Sequence, residues 1–213
     1  MSLFDPSKTS LKICGVTLPE DAEQLISLGV HAMGINFWQD SKRYLPLTSA
    51  APILDTCRGK ITRVGVFVNA DPSLPRQLLE QDLIDIAQFH GDETPEYCAP
   101  FAMDSLPFIK AIGVKNKDSL ENIGDYQASA ILLDTPAPGT YGGTGETFDW
   151  NHARDFIAAH PDIPVLLAGG ITPQNAAQAI SQVHPAALDI ASGAELSPGI
   201  KNMTKVKALM ASL

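Results

Sequence analysis

LKICGVTLPEDAEQLISLG, residues 11–29, decides the fold. Six residues with the look of a buried strand (LKICGV, 11–16) pass through a Thr-Leu-Pro-Glu start into an amphipathic segment that stops at Gly29, where helix ends favour a left-handed residue. The same unit then repeats along the chain. AMGINFW (32–38), ITRVGVFVN (61–69), IDIAQFHG (84–91), PFIKAIGV (107–114), SAILLDT (129–135), IPVLLAGG (163–170) and ALDIAS (187–192) complete eight candidate strands. Helical patterns lie between them: TSAAPILDTCRG, PSLPRQLLEQ, TPEYCAPFA, DSLENIGDY, WNHARDFIAAH, TPQNAAQAISQV and the terminal NMTKVKALMASL. Thr17, Thr94 and Thr172 precede a Pro and a carboxylate or amide, as N-caps do, and Gly59 matches Gly29 at a helix end.

Eight strand-helix units of about 25 residues each match a single-domain (β/α)8 TIM barrel of eight parallel strands, an α/β fold whose usual length is about 250 residues. A doubly wound open sheet fits less well, since it needs fewer strands and the first strand lacks a G-x-G-x-x-G turn. Residues 1–10 read as a disordered lead-in and 11–213 as the barrel domain. Chemistry in a barrel sits at the C-terminal ends of the strands.

The 213-residue chain is long enough to hide roughly 70% of the surface its unfolded form exposes. A net charge of -9 with no cluster of Lys and Arg argues against nucleic-acid binding. Three cysteines without paired spacing fit a reducing cytoplasm and no structural metal. No apolar run approaches about 18 residues and the first ten residues lack a signal-peptide pattern, so neither a membrane span nor a leader is expected.

Side chains along a strand alternate, so Lys12 and Cys14 share one face of the first strand and Ile13 takes the other. Ile13 suits the helix layer, which turns Lys12 and Cys14 toward the barrel axis. By the same logic Val64, Val66 and Val68 are expected against the helices, with Gly65, Phe67 and Asn69 inward.

Cys14 ends the first strand, where it is either a small buried hydrophobe or a reactive thiol. A neighbouring Lys12 ammonium is expected to lower its pKa. Asp134 closes the apolar run AILLDT, and a carboxylate there must be paired, bonded to the following turn, or functional. The Gly- and Pro-rich stretch 135–150 that follows has the length and composition of a mobile cover. LLAGGIT (166–172) and IASGAE (190–195) bring small residues to the tips of strands seven and eight, the recurrent phosphate site of such barrels. Arg43 in QDSKRY is either a fork for a substrate carboxylate or a solvated surface residue, and His90 in FHGDE either donates to substrate or satisfies a backbone group.

KICG, SKRY, GVFVN, HGDE, LLDT, GGTG-TFDW, AGGI, the ASG of IASGAE and SPGIK stand in order from about residue 11 to the C-terminus. In this series the chain resembles the phosphoribosylanthranilate isomerases of tryptophan biosynthesis. The resemblance implies a cofactor- and metal-independent aldose-ketose isomerase, a small phosphorylated substrate, and a monomer or homodimer. It implies an Amadori rearrangement of N-(5-phosphoribosyl)anthranilate, with Asp134 as general acid opening the ribose ring and Cys14 as general base at C2. Arg43 is then expected on the anthranilate carboxylate, His90 on the substrate, and Gly169, Gly170, Ser192 and Gly193 on the phosphate. The chain departs from the family pattern at Glu146, where a basic residue is common, at Gln39 in place of Pro, and at Phe89 in place of an aliphatic residue. The sister isomerase of histidine biosynthesis uses a carboxylate where Cys14 stands, which disfavours that rival and a dual-substrate enzyme. A non-catalytic phosphate-binding barrel has no physical need of both Cys14 and Asp134.

Overall fold

The computed structural model describes residues 8–136 and 147–213. Eight parallel strands close into a barrel in sequence order: β1 (Ser10–Cys14), β2 (Ala32–Asn36), β3 (Thr62–Phe67), β4 (Ile86–Phe89), β5 (Phe108–Gly113), β6 (Ala130–Asp134), β7 (Val165–Leu167) and β8 (Ala187–Ile190). β1 pairs with β2 on one side and β8 on the other, which seals the ring. Every strand expected from the sequence is present, each ending earlier than expected. Ser10, expected in the lead-in, opens β1 opposite Ala187, and the buried Thr9 hydroxyl donates to the Pro185 carbonyl.

The outer layer holds α1 (Pro19–Ser27), α2 (Leu47–Cys57), α3 (Ser73–Glu80), α4 (Pro95–Met103), α5 (Trp150–Ala159), α6 (Ala176–Val183) and α7 (Met203–Met210). Gly29 and Gly59 have the positive φ that their helix ends require. Of the three threonines expected as caps, Thr94 alone accepts from the first turn, at Tyr97 N. Thr17 donates instead to the Gly199 carbonyl, and Asn175 occupies the cap of α6. DSLENIGDY forms two single turns of 3-10 helix, Lys117–Leu120 and Ile123–Tyr126, rather than an α-helix. Its middle residue Asn122 is left-handed and halts propagation. An antiparallel hairpin after β8, β9 (Glu195–Ser197) and β10 (Ile200–Lys201), was not expected from the sequence.

Pairing fixes which residues face inward, because partners on neighbouring parallel strands share a side. Lys12 and Cys14 lie inside as expected: Lys12 is opposite Ala32 and Asp189, and Cys14 is opposite Gly34. The expectation for β3 is reversed. Val64 packs with Ala32, Ile86, Ile109, Leu132 and Leu166 in the barrel interior, whereas Phe67 joins the helix-facing core. Both faces of a barrel strand are buried, so hydrophobicity does not distinguish them; volume does. The Phe67 ring folds back over Gly65 on the roomier outer side, so close that a Cβ there would sit 2.9 Å from its Cε2.

Two charged residues on the outer faces of strands are also buried, and each has its counter-charge. Arg63 binds Asp85 through Nε and Nη2 and reaches Asp82. Lys110 on β5 pairs with Glu93 at 2.8 Å, while Glu93 also accepts from the backbone N–H groups of Asn69 and Gly91, stitching the loops after β3 and β4 together. Replacing Lys110 with Met strands the Glu93 carboxylate, and the variant is expected to lose about 3–5 kcal/mol of stability. Urea unfolding reads this directly; a midpoint equal to the parent's would show that the pair contributes nothing.

Candidate active site

The C-terminal ends of the strands surround an open cleft. Cys14, Arg43, His90, Asp134, Gly169, Gly170, Ser192 and Gly193, all named from the sequence, line it. Asn36, Ser41 and Asp189 line it too, without having been singled out, as do Val66 and Val68, which were expected against the helices.

Cys14 occupies its place because Gly34 has no side chain. A Cβ on Gly34 would stand 2.9 Å from the Cys14 sulfur and 3.1 Å from Lys12 Nζ, so the glycine makes room for thiol and ammonium together. Lys12 Nζ binds Asp189 Oδ1 at 2.7 Å and is within hydrogen-bonding reach of Cys14. Burial works against the Lys12 ammonium, but Asp189 and Cys14 more than offset it and its pKa rises. Lys12 pulls the Cys14 pKa down as expected, but the net shift is upward. Burial pushes the Cys14 thiol up, and the opposing pull of Lys12 is blunted by the Asp189 carboxylate beside it.

Asp134 ends β6 on the inner face. Its Oδ1 accepts from Thr135 N at 2.7 Å, and Oδ2 lies 3.3 Å from His90 Nε2. The other ring nitrogen of His90 meets Gln88 Nε2 at 2.8 Å, so the buried Gln88 steadies the imidazole that faces Asp134. His90 therefore stands beside the carboxylate rather than only at a backbone group.

Arg43 reaches the cleft across Gly15, whose positive φ and missing Cβ give passage to the arginine stem. Its guanidinium is half-buried and ion-paired. Nε and Nη2 hold the two oxygens of Glu195 at 2.8 and 2.7 Å. Glu195 also accepts from the buried Lys201 ammonium at 2.7 Å, and these cations outweigh burial to keep its pKa low. Opposite them, Gly169 and Gly170 adopt positive φ, and Asn175 ties their loop by donating to the Gly170 carbonyl. Gly193 packs so tightly on the Ile171 carbonyl that no side chain fits, which brings the two loops together as one backbone surface.

The family model for N-(5'phosphoribosyl)anthranilate (PRA) isomerase matches residues 11–212. The chain belongs to this family. An N-(5'-phosphoribosyl)anthranilate isomerase of Citrifermentans bemidjiense is 41% identical over 203 residues, covering 95% of this chain and 96% of that protein. The phosphoribosyl anthranilate isomerase of Thermotoga maritima superposes with a TM-score of 0.85 at 35% identity, over 96% of this chain and 98% of that one. A solved phosphoribosyl anthranilate isomerase in complex with reduced 1-(o-carboxyphenylamino)-1-deoxyribulose 5-phosphate gives 0.82 at 32%, with the same coverage.

For a member of the phosphoribosylanthranilate isomerase family, the residues that reading the sequence overlooked are instructive. Asp189 sits inside an apolar strand, ALDI, and only register with β1 reveals that it meets Lys12. Glu195 and Lys201 are six positions apart on a hairpin too short to show a period. A charged residue flanked by small buried ones, as in SGAE, was the available signal. The expected cover at 135–150, with Glu146, falls mostly on 137–146, outside the described residues.

Proposed function

We propose that the chain converts N-(5-phosphoribosyl)anthranilate to 1-(2-carboxyphenylamino)-1-deoxyribulose 5-phosphate with its own side chains as the acid and base and without a cofactor. Family membership carries the reaction; the observation that carries the division of labour is that one cleft receives Cys14 from β1 and Asp134 from β6. Asp134 gives a proton to the ribose ring oxygen as the bond from C1 to that oxygen breaks, and the anthranilate nitrogen lone pair forms the Schiff base. The cationic nitrogen acidifies C2–H, and Cys14 removes that proton to leave an enolamine. The enolamine then tautomerises to the ketone, so no atoms are gained or lost.

Ring opening needs an acid and C2 deprotonation needs a base, and two groups in different surroundings supply both at one pH. Gly169, Gly170, Ser192 and Gly193 take the phosphate through backbone N–H groups. Arg43, with its inner edge on Glu195, offers its remaining donors to the anthranilate carboxylate. His90 holds Asp134 toward the ring oxygen.

Cys14→Ala and Asp134→Asn are each expected to fold and to lose on the order of a hundredfold or more in kcat, since each removes a positioned acid or base. Conversion of freshly prepared phosphoribosylanthranilate, followed by the decay of its fluorescence, tests both; near-normal turnover in either removes that residue from its role. Arg43→Ala should raise KM with kcat largely kept, as loss of uniform binding does. A change confined to kcat would place it in the chemistry instead.

The raised thiol predicts the pH profile. A base works only when ionised, and Cys14 ionises above the ordinary thiol value of about 8.5, so kcat/KM should climb with pH through and beyond that value. A rising limb complete below pH 8 would assign the base to another group.

A further inference from the structure

We propose that Glu195 and Lys201, carried on the β9–β10 hairpin, are positioning residues that fix Arg43 and Cys14 relative to one another. Glu195 is buried and spends both carboxylate oxygens on Arg43, through Nε and Nη2, while sharing Oε1 with Lys201 Nζ and Gly199 N. Lys201 is buried as well, and its ammonium donates to the Cys14 backbone carbonyl. A continuous chain of charge-assisted contacts thus runs from the arginine in one cleft wall to the strand end that bears the thiol. The hairpin is itself anchored: Lys201 N donates to Asp21, and Lys205 Nζ donates to the Glu195 carbonyl.

The arrangement has two consequences for the site. A fork gripped at one edge cannot swing, so the guanidinium presents its other edge to the cleft in one orientation, and a carboxylate meets donors that are already aimed. The second consequence is electrostatic. The Cys14 thiol faces Lys12 on its own strand, Asp189 on β8, Lys201 on β10 and Arg43 from the loop after β2, with Glu195 behind the last two and His90 and Asp134 on other walls of the cleft. Lys12 is matched by Asp189, while Arg43 and Lys201 share Glu195, so Lys201 can be removed with Glu195 still held by Arg43. Its charge opposes the effect of burial on the thiol.

The proposal rests on the reading of Arg43 as carboxylate clamp and Cys14 as base, and its tests separate from those of that reading. In the full-length chain, Glu195→Gln should raise KM roughly tenfold, the effect of misaiming one charged hydrogen bond, while kcat falls less than about threefold. A variant with fewer active molecules and an unaltered KM, the signature of a purely structural residue, overturns the role of Glu195. For Lys201, iodoacetamide alkylation is followed across pH by the mass of the Cys14 peptide; Cys57 and Cys98 are buried and serve as internal controls. Lys201→Met should move the alkylation midpoint up by about one pH unit, and Lys201→Arg should restore it. An unmoved midpoint in folded Lys201→Met overturns the electrostatic role. Should Lys201→Met not fold, the KM of Glu195→Gln decides alone. Alkylation senses the thiol whether or not it is the base, so Cys14→Ala with retained turnover would sink the base assignment and leave this result standing.

Discussion

Every strand of a closed parallel barrel is buried on both faces, and a charge placed on one must find its partner inside the protein. Four cations in or beside the barrel wall obey this constraint in four directions. Lys12 meets Asp189 on the inner face where β1 and β8 close the ring, Arg63 meets Asp85 outside β3, Lys110 meets Glu93 outside β5, and Lys201 meets Glu195 beside the cleft. The outer two join strands to neighbouring loops and belong to the scaffold. The inner two converge on Cys14, one beneath its side chain and one at its carbonyl. An apolar filling of the same volume would have been available at each position, and its absence at these two is the clearest sign that the closure of the barrel serves the site as well as the fold.

The same constraint explains why a cysteine here need not behave as an isolated thiol. Desolvation alone drives a thiol toward neutrality, and a nearby ammonium drives it toward thiolate. Asp189 tempers the ammonium, so the outcome is a raised pKa. A raised pKa makes a stronger base that is less often ionised, which suits the role proposed for Cys14. Asp134 shows the complementary arrangement, with its carboxylate bonded to the next backbone N–H and flanked by an imidazole that Gln88 steadies. Cys14 and Asp134 thus differ in their neighbours more than in their depth.

The sequence carried the number of strands because each is a short, mostly apolar stretch bounded by turn chemistry, signals local to a few residues. It carried Cys14, Asp134 and the paired glycines because strand tips are where a barrel exposes chemistry. It did not carry the facing of β3, since both residue sets, Val64 with Val66 and Gly65 with Phe67, are apolar, and only the room available to a phenyl ring separates inside from outside. Asn122 broke the expected helix through a left-handed conformation that the helical spacing of DSLENIGDY conceals. The partners of Lys12 and Arg43 lie 177 and 152 positions away, so no window of sequence contains the pairs.

Those long separations bear on how the site is specified. Arg43 and Glu195 lie 152 positions apart, and Cys14 and Lys201 lie 187 apart, so both contacts tie the start of the chain to its end. The geometry of the cleft therefore depends on the register of the β1–β8 seam, where the barrel closes. A slip of one residue in that register would turn Asp189 outward and leave Lys12 buried without a counter-charge, a state costing several kcal/mol. The ion pair under the thiol thus favours the register in which the residues of the cleft come together.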